Sequence, residues 1–302
     1  MPSSKDIKNR INSVQNTKKI TKAMKMVAAA KVKKAEYTVK AARPFSDELL
    51  HLFRKMLATV GEYSVHGLKV ERALDNYPAL ITERKVKSEG LLVMTSNKGL
   101  AGAYNTNVIK AALRRVKENK ENGIKTVIYP VGQKAVSAFK KGGDFELKKG
   151  YLAIANDPTA NGAILIAEDI ADDFVNGEID SIDIFTTHFN NMMSYNVVAW
   201  EVLPVKVEKA TEKELDPLMV FEPSEHAILQ QIVPMYITNS IYQALLEANA
   251  SELASRMTAM SAASNNAEEI INNLTIDYNK ARQSAITQEL VEIVSGANSV
   301  KH

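Results

Sequence analysis

The longest uninterrupted stretch of helix-compatible sequence decides what this chain can fold into. From Met235 to Ser295 the chain runs for 61 residues with no Gly and no Pro. At a rise of about 1.5 Å per residue, one helix of that length spans about 90 Å, more than twice the diameter of a small domain. Apolar and small residues alternate four and three apart along it, which is the spacing of a coiled-coil seam. We therefore expect a partner helix, to be sought within this chain. The predicted seam positions are Leu246, Ala250, Leu253, Met257, Met260, Ser264, Ala267, Ile271, Leu274, Tyr278, Ala281 and Ala285.

A second long helix is predicted at the N-terminus. Ser3 followed by Asp6 is typical of a helix start, and no Gly or Pro then occurs before Pro44. The helical pattern resumes after this proline and lasts to Gly61, so we expect the proline to lie inside the helix. The predicted apolar stripe begins at Ile7, Ile11 and Val14, shifts face through Ile20, Met24 and Val27, and resumes at Ala28, Val32, Ala35, Val39 and Ala42.

The middle of the chain has the pattern of alternating strands and helices. Strands are predicted at 90–95, 125–129, 181–189 and 195–205, the last two as a hairpin, and helices at 105–119, 133–140 and 157–175. The predicted fold is α/β plus a long antiparallel coiled coil, in which the terminal helices flank a small inserted Rossmann-like α/β domain. The corresponding segments are 1–60, a connection at 61–88, the domain at 89–207, a connection at 208–223 and the last helix at 224–302.

The two long helices differ in length, which leaves the end of the second one without cover. The C-terminal helix is longer by about 17 residues, or about 25 Å. A lone helix in water would expose the apolar side chains of this end, so we expect a protein outside this chain to enclose it. These apolar residues are Ile286, Leu290, Val291, Ile293 and Val294; the polar ones beside them are Lys280, Arg282, Gln283, Gln288 and Glu289.

Composition excludes several kinds of site. The chain has 302 residues and no Cys, which excludes disulfides, thiolate zinc sites and iron–sulfur clusters. It has no run of eighteen apolar residues and no secretory signal, so we expect it to stay inside the cell. Residues 1–43 carry twelve Lys and Arg against two acidic residues, although the whole chain has a net charge of only +3. Such a basic segment fits an acidic partner surface or a solvated helix face, and both interpretations stay open.

No catalytic, cofactor or metal site is predicted. The turn from Gly99 to Gly102 follows a strand and precedes a helix, but it lacks both phosphate-binding glycine motifs, so we interpret it as a close packing turn. The five histidines show no metal-ligand spacing. The adjacent pairs Asp172–Asp173 and Glu268–Glu269 point to different helix faces, and we expect them to be solvated.

Four long motifs carry a resemblance to a known family. They are KDIKNRINSVQNTKKITKAMKMVAAAK at 5–31, SNKGLAGAYN at 96–105, SRMTAMSAASNNAEE at 255–269 and YNKARQSAITQELVEIVSGA at 278–297. In these motifs, and over essentially its whole length, the chain resembles the gamma subunits of F-type ATP synthases. The family often has Cys where this chain has Ala101, and it implies a non-catalytic rotor shaft that couples proton flow through the membrane c-ring to conformational change at the catalytic beta subunits.

The resemblance also implies partners, a location and contact residues. The partners are the alpha and beta subunits of the catalytic hexamer, the epsilon subunit and the c-ring, with no nucleic acid and no cofactor. The implied location is peripheral, on the cytoplasmic face of the bacterial cell membrane. By resemblance, beta-subunit contacts are expected at Met24, Lys25, Arg282, Gln283, Thr287, Gln288 and Glu289, a hexamer sleeve around Ile286, Leu290, Ile293 and Val294, and a c-ring foot at Phe221 and Glu222.

Two other function classes remain alternatives. A nucleotide-dependent enzyme built on the α/β domain would bind or turn over nucleotide when purified alone. A free coiled-coil adaptor or a basic nucleic-acid binder would bind DNA in a salt-sensitive manner. The enzyme alternative is at odds with the lack of a phosphate motif, and the nucleic-acid alternative does not explain the apolar stretch from Ala23 to Ala30, in which only Lys25 is polar. This stretch fits either a helix enclosed by protein or simply the high helix propensity of Ala, and both interpretations stay open.

Overall fold

Two long helices dominate the part of the chain that the computed structural model describes, which is residues 4–60, 72–205, 222 and 224–299. Helix α1 is Ser4–Val60, with 57 residues, and helix α6 is Glu225–Ser299, with 75 residues. Pro44 lies inside α1 and Pro234 inside α6. The prediction that the N-terminal helix continues past Pro44 is therefore confirmed. Among the helices described, none is both long and apolar enough to cross a membrane.

The middle of the chain forms one mixed five-stranded sheet. Its strands are β1 (Ser88–Met94), β2 (Lys125–Val131), β3 (Glu146–Leu147), β4 (Ser181–Asn191) and β5 (Ser194–Leu203). Their order in the sheet is β3-β2-β1-β4-β5. Strand β1 pairs in parallel with β2 and β4, and β2 with β3. Strands β4 and β5 are antiparallel, which confirms the predicted hairpin.

Helices cover both faces of this sheet. Besides α1 and α6, the α-helices described are α2 (Tyr77–Ile81), α3 (Tyr104–Glu121), α4 (Gln133–Phe139) and α5 (Ala160–Val175). Successive side chains of a strand point to opposite faces. Accordingly, Leu91 and Val93 of β1 pack in a core with α3 and α4, whereas Leu92 and Met94 belong to a larger core. That larger core includes α5, Leu49 and Phe53 of α1, and the first third of α6 from Leu229 to Ala248.

Three short elements were missed by the sequence prediction. They are a 3-10 helix at Ala73–Asp75, helix α2 and the two-residue strand β3. Tyr77 and Leu80 of α2 are almost completely buried in the larger core. Such short elements owe their stability to tertiary packing, so the local sequence carries little signal for them.

Contacts divide the chain into two compact units. One unit is Met1–Ala29 with Arg256–His302, and the other is Ala30–Ser255. Helices α1 and α6 each contribute residues to both units. The segment bounds predicted from the sequence were not defined by contacts. These two units therefore do not test them, and they stay a prediction.

Candidate partner-binding surface on the long helices

In the first unit, helix α6 is buried along one narrow line. From Ser264 to Ala281, all side chains are exposed except six, which alternate three and four residues apart. This spacing keeps side chains on one side of a helix that has a partner. All six are predicted seam positions: Ser264, Ala267, Ile271, Leu274, Tyr278 and Ala281.

Helix α1 has a matching line in the same unit. Between Ser4 and Ala28, the side chains that are not exposed are Ser4, Ile7, Ile11, Val14, Lys18, Thr21, Met24 and Ala28. The predicted shift of the stripe through Ile20 and Val27 is wrong, because these side chains are 60% and 58% exposed. Thr21, rather than Ile20, lies on the buried line of α1. An ion pair between Lys18 Nζ and Glu268 Oε1, 3.2 Å apart, joins the two helices beside the lines.

The burial of α6 ends abruptly after Ala281. Every side chain from Arg282 to Ser295 is exposed. Four apolar residues in this end segment lie within an arc of about 100°, at about 100° per residue. We call them the apolar tip stripe: Ile286 (49% exposed), Leu290 (57%), Ile293 (67%) and Val294 (58%).

The apolar tip stripe lies on a different side of α6 from the seam. Ile286 is about 140° around the helix from Ala281, the last seam position with any burial. The seam direction itself continues through Gln288 and Glu292, which are joined by a hydrogen bond of 3.1 Å from Nε2 to Oε1. A longer α1 would thus cover polar groups and leave the apolar tip stripe open. The apolar tip stripe is therefore not a continuation of the seam.

The predicted beta-subunit contacts fall into two groups. Arg282, Gln283, Thr287, Gln288 and Glu289 are all exposed in the end segment of α6. Most of them border the apolar tip stripe, whereas Gln288 lies on the seam side. The Thr287 hydroxyl donates to the Gln283 carbonyl at 3.0 Å.

The second group lies on α1, where Met24 is half-buried and Lys25 is exposed. Lys18 of the same helix forms an ion pair with Glu268 of α6, and Glu268 lies about 21 Å along α6 from Arg282. The structure therefore keeps the two groups apart along the helices. Of the predicted c-ring foot, Glu222 is exposed and Phe221 lies outside the described residues.

The apolar stretch of α1 presents two different surfaces. Ala28 is only 2% exposed and lies on the buried line of α1, while Met26 and Val27 are 59% and 58% exposed. On a helix these two positions point away from the buried line. The outer face of α1 is thus a second exposed apolar surface in the first unit, with Lys22 and Lys25 beside it.

The glycine turn before α3 is held by contacts within its own unit. The Ser255 hydroxyl of α6 donates to the Ala101 carbonyl at 2.7 Å, and the backbone N–H of Ser96 donates to the Asn105 side chain at 2.9 Å. Tyr104, the first residue of α3, is 1% exposed, and burial raises the pKa of its hydroxyl. This geometry favours the packing turn over the phosphate-binding alternative. Within the described residues, no group of three His, Asp or Glu side chains could hold a metal ion.

Two acidic residues differ from what the sequence suggested. Asp172 is exposed as expected, but Asp173 is not simply solvated, because its carboxylate accepts from the Tyr129 hydroxyl and lies 3.2 Å from Lys148 Nζ. Burial, and then the bond to Asp173, raise the pKa of Tyr129. The second residue is Glu247 of α6, which the sequence analysis did not single out. Its side chain is completely buried against Arg43, and the only sequence signal is a lone charge between Ala and Leu residues.

Comparisons with known proteins place these features in a family context. The family model described as ATP synthase matches residues 3–300. The ATP synthase gamma chain of a Picosynechococcus strain is 41% identical over 327 aligned residues, covering 99% of this chain and 100% of the relative. The gamma chain of Nostoc punctiforme is 40% identical over 326 residues, with the same coverage.

Solved structures give a similar result. A chain in the central stalk and c-ring structure of Tetrahymena thermophila mitochondrial ATP synthase has a TM-score of 0.58 and 29% identity, over 81% of this chain and 99% of that one. A chain in the OSCP, F1 and c-ring structure of Euglena gracilis mitochondrial ATP synthase has a TM-score of 0.68. Its identity is 19%, over 98% of this chain and 94% of that chain, so this second likeness concerns the fold alone.

Proposed function

Because this chain belongs to the ATP synthase gamma chain family, we propose that it is the central rotating shaft of a proton-translocating F-type ATP synthase. In this proposal it couples proton flow through a membrane c-ring to conformational change at catalytic beta subunits. The chain itself catalyses nothing. It is a peripheral protein on the cytoplasmic face of the bacterial cell membrane, held there by the complex.

The observation that carries the proposal is the apolar tip stripe. Four large apolar side chains on the outside of an otherwise uncovered helix are costly in water, because each fully buried side chain of this kind gains about 1.5–3 kcal/mol. Support for an antiparallel coiled coil comes from the two buried lines and from the Lys18–Glu268 ion pair. Antiparallel pairing through these residues brings the start of α1, at Ser4, beside Arg282, where the burial of α6 ends.

The proposed partners fit the exposed surfaces. A sleeve formed by alpha and beta subunits would cover the apolar tip stripe, with beta-subunit contacts at Arg282, Gln283, Thr287, Gln288 and Glu289. An acidic surface of a beta subunit would face Met24 and Lys25, which belong to the basic N-terminal segment. The sheet and the adjoining parts of the helices would bind the epsilon subunit and the c-ring, with a foot at Phe221 and Glu222.

The mechanism follows from asymmetry. The stripe, the seam side with Gln288 and Glu292, and the basic face of α1 are chemically different surfaces around one shaft. Three identical catalytic sites around such a shaft would each meet a different surface at any moment. Rotation would then change the conformation and nucleotide affinity of each site in turn, because a ligand shifts an equilibrium only by its differential contacts.

The absence of cysteine from the sequence allows a direct test. A single Leu290→Cys substitution gives a unique thiol for a photoactivated cross-linker, and Lys117→Cys on the exposed face of α3 is the matched control. The tagged chain is purified from native membranes after irradiation. We expect alpha and beta subunits to co-purify in three copies each and to cross-link at position 290 but not at 117. A chain that purifies without them, or that binds nucleotide by itself, would favour the enzyme alternative.

A further inference from the structure

A completely buried carboxylate links both long helices to the sheet in the second unit. Arg43 of α1 donates from Nε to Glu247 Oε1 at 2.8 Å and from Nη2 to Oε2 at 3.0 Å. The backbone N–H of Phe189, near the end of β4, donates to Oε2 at 2.7 Å. The same Arg43 Nη2 donates to the Phe189 carbonyl at 2.7 Å. These bonds close a ring through three elements, which we call the Arg43–Glu247 joint.

Other polar contacts extend the joint along the helices. The Ser46 hydroxyl donates to Gln243 Oε1 at 2.7 Å and accepts from Asn239 Nδ2 at 2.8 Å. The Thr186 hydroxyl of β4 donates to the Ala244 carbonyl of α6 at 3.2 Å. His188 also faces the carboxylate, with Nδ1 at 3.6 Å from Oε2. Each contact ties one of the helices to the other or to β4.

A buried ion pair is a poor choice if stability is the only requirement. Desolvation of two charges cancels much of their attraction, and apolar residues of similar volume often stabilise a fold as well or better. A planar guanidinium that forms two parallel hydrogen bonds with a carboxylate is directional. The two bonds together fix both the distance and the angle between the two side chains. The surrounding core of Leu, Ile and Phe side chains cannot do this, because apolar contact is non-directional.

We propose that the Arg43–Glu247 joint is the element that transmits torque between the sheet and the two long helices, which rests on the proposed function of the chain as a rotor. A shaft under load must resist rotation of its helices against the sheet. The backbone of Phe189 is held at both its N–H, by Glu247, and its carbonyl oxygen, by Arg43. Neither helix can therefore turn or slide against β4 without breaking a charge-assisted bond. Arg43 and Glu247 act as positioning residues in this proposal.

The test uses the complete ATP synthase in sealed vesicles. Glu247→Gln keeps the size of the side chain but removes its charge, and Arg43→Met with Glu247→Leu replaces the pair by apolar groups that can still pack. The matched control is Glu89→Gln, because Glu89 is also a buried carboxylate paired with an arginine, Arg115 at 3.0 Å, but its network joins strands β1 and β4 to α3 and involves neither long helix. The measurement is the number of protons pumped per ATP hydrolysed, together with the amount of assembled complex.

We expect normal assembly in all variants and a loss of proton pumping per ATP of at least about twofold in the two joint variants, the lower end of effects along coupled networks. Glu89→Gln should match the wild type. Equal coupling in the joint variants and the wild type would overturn the proposal, and so would equal losses in the control. Failure of both joint variants to assemble would assign the joint to folding and overturn it as well. A wild-type complex that does not pump would instead contradict the proposed function.

Discussion

Two adjacent segments of one helix behave in opposite ways. From Ser264 to Ala281, α6 buries a line of side chains at regular spacing, and its exposed residues there are mainly polar. From Arg282 to Ser295, α6 exposes every side chain, including the four large residues of the apolar tip stripe. One continuous helix runs through both segments. The first segment is therefore completed by this chain, whereas the second is left uncovered by the residues that the structure describes, which in the proposed function is the place of another protein.

The largest expected effect comes from placing the same charge in both segments. Leu274→Asp puts a carboxylate on the buried line and should lower the free energy of unfolding by about 2–3 kcal/mol. Leu290→Asp in the exposed segment should change it by less than about 0.5 kcal/mol. Urea unfolding of the purified chain, followed by circular dichroism, measures both. Equal destabilisation by the two substitutions would contradict the difference in burial between the two segments.

The order of effects should reverse for partner binding. Leu290→Asp should weaken binding of the chain to the alpha–beta hexamer by about tenfold or more, because one buried apolar side chain is worth about 1.5–3 kcal/mol. Asn272→Asp, which adds the same charge on the same side of α6 but in the segment before Ala281, is the control and should bind normally. Titration of the hexamer with labelled chain gives the dissociation constants. Normal binding by the Leu290 variant would mean that the stripe is not enclosed.

The smallest expected effect concerns the ion pair beside the seam. Glu268 is 61% exposed and Lys18 is 31% exposed, so their attraction is screened by water. A double-mutant cycle with Lys18→Gln and Glu268→Gln should give a coupling of about 0.2–1 kcal/mol, which 1 M salt should remove. A coupling of zero in low salt would mean that the helices pair through their apolar line alone.

The line of buried residues could be predicted on α6 because its information is local. Spacing alone identifies Ile271, Leu274 and Tyr278, whatever the partner is. The same reasoning failed on α1 at Ile20 and Val27, where apolar residues occur on more than one face. Sequence spacing cannot tell which apolar face meets a helix of the same chain and which meets another protein.

The sheet shows a similar limit. Its longer strands were predicted from their apolar runs, but the pairing of Glu89 with both Thr126 and Ser181 depends on contacts between distant segments. The Arg43–Glu247 joint was missed for the same reason, because its residues are 204 positions apart. A charged residue looks solvated in a sequence until its partner is known.

The exposed apolar surfaces also have a consequence for biosynthesis. In the proposed function, a newly made copy of this chain exposes Met26, Val27 and the apolar tip stripe until its partner subunits cover them. Its encounter with partner subunits therefore competes with self-association and with capture by chaperones or proteases, which recognise such surfaces. The amount of free chain should thus be held low by degradation, so that the supply of partner subunits sets how many copies survive.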